Sequence, residues 1–294
     1  MPSNATVPMH IDGLVTELQS LLRKDHGCEI HATPFWQDAC RAMIESALQR
    51  SPRDFLRWET VNFTMHPESC SLFEPWYRYL CSLDDWHERW QSCLTEDPVG
   101  NPIPFHLYPE TSPLLLQHGY HIACFESATG CDPVDYDVVI EIGGGYGSMA
   151  RLFYRLGFSG RYLIYDMAPV SVLQRLYLQD IGLSVSKTAG NWTQVFCCTD
   201  LFELGKAMEL FTRSRCLIMA TFSLSEMPHR LREAIASQIN GGDGFLLAYQ
   251  GVFNGVDNHP YFDYLVKNTE ANIEWHKEEI KGLPDNYYLF GHCP

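Results

Sequence analysis

The chain has 294 residues and a net charge of −15, with 36 acidic against 21 basic side chains and no basic stripe. That balance excludes a nucleic-acid backbone as substrate, because phosphate binding relies on clustered Lys and Arg that release counterions. The 11 cysteines are odd in number and follow no C-x-x-C framework, no apolar run approaches the ~20 residues that span a bilayer, and Met1 to Thr6 has no leader pattern, which together predict a reduced, cytoplasmic protein.

Residues 1 to about 130 read as helical. Gly13 to Leu22 has amphipathic spacing, and Thr33-Pro34 is a cap followed by proline at the first helical position, leading Trp36, Ala39, Cys40, Met43 and Ala47 down one face. A third helix is expected near Glu74-Pro75, with a stripe of Trp76, Tyr77, Leu80, Leu83, Trp86 and Trp90. The stripe suits either a sugar platform or, more commonly, an apolar face packed against the rest of the chain or a second copy. Asp97 to Glu110 holds four prolines and reads as an extended link. Ser112-Pro113 opens a further helix on which His118, His121 and Cys124 recur every third residue, with Cys131 beyond. Zinc would need a fourth ligand at tighter spacing, so no metal site is predicted; the helix, lying just before the first strand, reads instead as the floor under a bound cofactor.

That strand begins at Asp137. Asp137-Val-Val-Ile-Glu-Ile-Gly-Gly-Gly-Tyr-Gly147 is an apolar β-branched run that meets four glycines, and Met149, Leu152, Phe153 and Leu156 then recur with helical period. Strand, tight turn and helix follow, and a glycine turn at a helix N-terminus lets a nucleotide-like ligand approach closely. Gly145, Gly147 and Ala150 also fit a dinucleotide-binding pattern. Glu141, however, suits a positively charged ligand such as S-adenosylmethionine and would repel a pyrophosphate. The next strand, Arg161 to Tyr165, ends in Asp166, where a carboxylate can accept from both hydroxyls of a ribose.

Strand and helix then alternate: Val195 to Cys198, Cys216 to Phe222, and Phe245 to Tyr249 are strands, and Tyr287 to Cys293 is expected to complete the sheet. Asp200 could accept from an adenine amino group or cap the helix after it. Ser223 to His229 and Gln250 to Asn258 read as loops at strand ends, followed by a helix from Pro260 to Glu270.

The run Val139 to Gly147, with Tyr165-Asp-Met-Ala-Pro169, Gln174 to Leu178 and Ser223-Leu-Ser-Glu-Met227, resembles the sugar O-methyltransferases, class I enzymes that use S-adenosylmethionine. The similarity covers about Val99 to Pro294. Met167-Ala168 stands where Leu-Pro is more usual, and Thr221 where asparagine is expected. The resemblance implies a Rossmann-like α/β sheet with helices on both faces, in residues 131–294; the helical periodicity of 1–130 places before it a helical lobe that covers substrate or forms a homodimer. It implies cofactor contacts from Glu141, Gly143, Gly145, Tyr146 and Gly147, and from Asp166, Met167, Asp200 and Thr221, with a small sugar or glycoside as acceptor.

A sugar hydroxyl needs a base, and strand-end loops hold the candidates. Glu226 and His229 lead, with His292 and His259 behind them. A metal-assisted variant would place a divalent ion on Asp200 or Glu226, with Asp257 and Asn258 nearby. Two other functions remain open: a nicotinamide-dependent oxidoreductase using Gly145, Gly147 and Ala150, and a cofactor-binding partner without catalysis.

Overall fold

A computed structural model describes residues 11–24, 32–65, 70–188, 192–269 and 272–294. The stretch read for a leader lies outside the described residues.

Helices come first. They are α1 (Ile11–Lys24), α2 (Pro34–Gln49), α3 (Glu59–Met65), α4 (Cys70–Cys81), α5 (Gln91–Cys93) and α6 (Pro113–Thr129). Thr33 precedes α2 in extended backbone but makes no side-chain cap, whereas the Ser112 hydroxyl accepts from the Leu115 amide and caps α6. The third helix starts before Pro75 rather than at it. The proline forfeits one intrahelical bond, and the packed face of the helix outweighs that loss. Trp76, Leu80, Trp86 and Trp90 are buried in the main core, with Trp76 stacked on Tyr120 at 5.0 Å. They do not reach the cavity described below, so the sugar-platform reading is corrected: the stripe is core.

From β1 (Val138–Ile142) the chain alternates: α7 (Ser148–Arg155), β2 (Arg161–Tyr165), α8 (Ala168–Asp180), β3 (Val185–Ser186), β4 (Val195–Cys198), α9 (Leu201–Leu210) and β5 (Cys216–Thr221). After β5 come α10 (Ser223–Glu226), α11 (His229–Ile239), β6 (Gly244–Gln250), a small hairpin β7 (Val252–Phe253) and β8 (Val256–Asp257), and α12 (His259–Asn268). β9 (Glu274–Glu279) and β10 (Asn286–His292) finish the fold. The segments read as loops after β5 and β6 thus contain a short helix and a hairpin. The predicted end of α12 at Glu270 lies outside the described residues.

The eight-stranded sheet has the order β3-β4-β2-β1-β5-β6-β10-β9. Its first six strands run parallel, and β10 runs antiparallel between β6 and β9. Residues alternate across it with period two. Val139, Ile164, Leu217 and Leu246 face a core shared with the N-terminal helices and α6, α7 and α8, while Ile140, Leu163, Ile218 and Leu247 face one shared with α9, α11 and α12. The first core runs continuously through residues on both sides of position 130. This is a Rossmann-like α/β sheet with helices on both faces, as the sequence predicts. Strand order reverses at β1, which places the ligand end of the sheet beyond the carboxyl ends of β1, β2, β5 and β6.

The helical lobe is tied to that end by charge. Arg175 on α8 pairs with Glu17 on α1 at 2.7 Å, and Arg151 on α7 reaches Asp97 at 2.8 Å. Both guanidinium groups are buried while their carboxylate partners stay partly exposed, so each pair is a half-desolvated, charge-assisted contact that fixes lobe to sheet.

Candidate functional site

A cavity of about 780 Å³ opens at the carboxyl ends of the parallel strands. The sheet supplies one wall, α6 the floor through Gln117, His118 and His121, and the N-terminal helices a roof through Phe35, Trp36 and Phe63.

One half is built on the glycine turn. Gly143 and Gly145 adopt φ of +78° and +52°, which glycine accepts without strain. A Cβ on Gly143 would strike Ser223, whose hydroxyl donates to the Ile142 carbonyl, whereas one on Gly145 would meet only Met65 Sδ at 3.8 Å. The turn is therefore closed against β5 and open toward the cavity. Gln174 then joins the two halves of the motif: its side-chain N–H donates to the Gly145 carbonyl at 3.0 Å and to Asp166 Oδ2 at 2.9 Å.

Asp166 also accepts from the Met167 amide at 2.8 Å, yet burial outweighs these bonds and lifts its carboxyl to about 7. Glu141 points from β1 into the same space, accepts from the Tyr162 hydroxyl at 2.8 Å, and is raised to about 8 by burial, with the Asp166 charge adding to the shift. Two carboxyls so held favour a ligand that carries positive charge and hydroxyl donors, because such a ligand restores their ionised form. Tyr146, Met167 and Thr221 line the cavity too.

The other half surrounds Glu226. Trp36 Nε1 donates to its Oε2 at 2.9 Å and Gln250 Nε2 to its Oε1 at 2.9 Å. Ser225 in turn donates its hydroxyl to Gln250 Oε1, which orients the amide. Burial raises the Glu226 carboxyl above its ordinary range against the pull of both donors. Phe222, just before, holds φ of +70° at the end of β5. A bulky residue in that region is strained, and here the strain turns the chain so that Ser223 faces the glycine turn and Glu226 the cavity.

Several predicted site residues lie elsewhere. Asp200 caps α9, accepting from the Phe202 and Glu203 amides at 2.8 and 3.1 Å, and does not line the cavity. His229 begins α11 with its side chain 69% exposed, 3.4 Å from Glu233. His292 pairs with Gly244, the first residue of β6, so it sits at the sheet end opposite the cavity. His259 lies outside the cavity lining, near Asp285. Gly147 turns the chain into α7, with a would-be Cβ against Leu178 rather than the cavity. Of the histidines that do reach it, His118 bonds Ser148 at 2.8 Å and His121 bonds Tyr288 at 2.5 Å. Among the described residues no three His, Cys, Asp or Glu side chains gather as a metal site.

Trp36, Gln250 and Gln174 are the site residues that sequence reasoning did not place. Trp36 reads as one member of an apolar stripe; Gln174 opens one of the segments that carry the family resemblance, and Gln250, the last residue of β6, is signalled by its position at a strand's carboxyl end.

No protein-family model and no curated protein matches this chain. Among solved structures it is similar to the magnesium protoporphyrin IX methyltransferase of Synechocystis PCC 6803 with bound SAM, at 11% identity, covering 60% of this chain and 80% of that one with a TM-score of 0.41. It is similar also to MtNAS in complex with MTA and tNA, at 12% identity over 97% of each chain with a TM-score of 0.41. A third is the N-terminal domain of EvdMO1 in the presence of SAH and D-fucose, at 12% identity over 59% of this chain and 81% of that one, with a TM-score of 0.39.

Proposed function

We propose that this chain is an S-adenosylmethionine-dependent O-methyltransferase that acts on a hydroxyl of a small sugar-bearing acceptor, with Glu226 as the general base. The observation that carries the reading is one cavity with two chemically different ends. A glycine turn clamped by Gln174 to a half-buried Asp166, with Glu141 beside it, occupies one end; a carboxyl oriented by two N–H donors occupies the other.

The cofactor would supply a methyl group on a positively charged sulfur, which leaves as neutral S-adenosylhomocysteine. Asp166 would accept from the ribose hydroxyls, the open face of Gly145 would admit close approach, and Glu141 would contribute negative potential. Glu226 would take the acceptor's hydroxyl proton as the new C–O bond forms. Its raised affinity for protons makes it a stronger base than an exposed carboxylate, and the Trp36 and Gln250 donors hold both oxygens in place. Roofing by Phe35, Trp36 and Phe63 would exclude water that competes for the methyl group.

Incubation with methyl-labelled S-adenosylmethionine and a panel of sugars and glycosides tests the proposal. Label in a methyl ether of an acceptor, lost in Glu226→Gln, is the expected result; label on nitrogen or carbon, or none with any acceptor, contradicts it.

A further inference from the structure

The lining of the cavity narrows the acceptor, on the reading that the site performs methyl transfer. Among the described residues that line it there are three carboxyl side chains, Glu141, Asp166 and Glu226, and no Lys or Arg. A diphosphate or phosphate on the acceptor would lose its water shell there without gaining a counter-charge, and it would add repulsion from carboxylates. Sites that take such groups supply Arg, Lys or a metal ion.

What the mouth supplies instead is aromatic surface. Phe35 lies 6.1 Å from Phe63 and 6.4 Å from Phe253, ring centre to ring centre, and all three line the cavity. Phe63 is 60% exposed and Phe35 36%. These rings come from three separate elements, α2, α3 and the β7–β8 hairpin, and converge without burying one another. Clustered exposed aromatic rings beside a cavity mark a surface that a ligand covers. The polar group nearest in the lining from the same helix as Phe35 is Trp36, whose indole is already committed to Glu226. An acceptor that fills the space therefore presents its hydroxyl inward, to Glu226, and a flat apolar body outward.

We propose that the acceptor is an uncharged glycoside with an aromatic aglycone, its sugar hydroxyl at Glu226 and its aglycone against Phe35, Phe63 and Phe253, and that nucleotide-linked and phosphorylated sugars are excluded. Stacking on aromatic rings is favourable for both sugar faces and flat aglycones, while the absence of Lys and Arg among the described lining residues selects against the phosphates.

The test uses the full chain and calorimetry in two stages. The protein is first titrated with S-adenosylhomocysteine; absence of binding at this stage counts against the methyltransferase reading itself. The loaded protein is then titrated with phenyl glycosides of glucose, galactose and rhamnose, with the three free sugars, and with UDP-glucose and UDP-galactose. At least one phenyl glycoside binds about tenfold or more tightly than its free sugar, neither UDP-sugar does, and Phe63→Ala and Phe253→Ala each weaken glycoside binding about fivefold without changing S-adenosylhomocysteine affinity. Tighter binding of a UDP-sugar, no binding of any phenyl glycoside, or indifference to both substitutions overturns the proposal. Phe63 is exposed enough that its loss does not threaten the fold.

Discussion

Trp36 and Glu226 are 190 positions apart in the chain, yet the indole N–H of one donates to the carboxylate of the other at 2.9 Å. The helical lobe thus does more than cover the sheet: it completes the site by fixing one oxygen of the candidate base, while Gln250 fixes the other. Replacing Trp36 with phenylalanine keeps the apolar surface and removes that donor. Turnover is expected to fall about tenfold to a hundredfold, since a hydrogen bond to a charged group contributes roughly 1.5–3 kcal/mol, with S-adenosylhomocysteine affinity unchanged. Steady-state kinetics alongside calorimetry separates the two.

Glu226→Gln keeps the size of the side chain and an acceptor for one of its two N–H partners, and abolishes the base. Methyl transfer is expected to drop by a factor of about 10² to 10⁴, while His229→Asn and His292→Asn stay close to the parent rate. His229 is solvated on α11 and His292 lies at the far end of the sheet. A larger loss in either histidine variant than in Glu226→Gln would transfer the role of base.

Stability of the ligand-free chain should fall as pH rises from about 4 to 8. Glu141 and Asp166 hold their protons up to about 8 and 7 in the folded chain, whereas ordinary carboxyls release them near 4. The folded state binds more protons than the unfolded one across that window, so each pH increment costs stability. Thermal unfolding at pH 5.5 and 7.5 checks this, with a smaller difference expected in Asp166→Asn. A cationic ligand favours the ionised carboxyls, so S-adenosylmethionine affinity should rise over pH 6 to 8, opposite in sign to the stability trend.

Deleting Asn286 to Pro294 should prevent folding. β10 pairs with β6 along seven residues and with β9 along six, so its removal opens the sheet internally and strips Leu289 and Phe290 from the two cores. Circular dichroism and size-exclusion chromatography should report an aggregated or unfolded product. Removing only Cys293 and Pro294, beyond the strand, should leave the folded profile of the parent chain largely unchanged.

The glycine turn, Asp166 and Glu226 were legible in the sequence because each is announced by local pattern: an apolar strand, a turn of glycines, a carboxylate at a strand's end. Asp200 obeys the same rule and offers two readings, an adenine contact or a helix cap; the structure shows the cap, one carboxylate oxygen accepting from two amides of the helix that starts immediately after it. His292 was misassigned because β10 runs backwards in the sheet, which sends its last residue away from the ligand end. β9 escaped notice: Glu274-Trp-His-Lys-Glu-Glu279 is an edge strand, mostly exposed, whose charged side chains carry no apolar alternation. Trp36 and Gln250 could not be paired with Glu226 in advance, because only the tertiary fold brings α2 over the end of β5.

Calorimetric titration with S-adenosylhomocysteine and, separately, with NAD⁺ and NADP⁺ distinguishes a methyl-donor site from a nicotinamide site. The arrangement of Glu141 and Asp166 around the glycine turn predicts micromolar binding of S-adenosylhomocysteine, weakened at least tenfold in Asp166→Asn, and no heat from either nicotinamide cofactor. Binding of NAD⁺ or NADP⁺ without S-adenosylhomocysteine would contradict it.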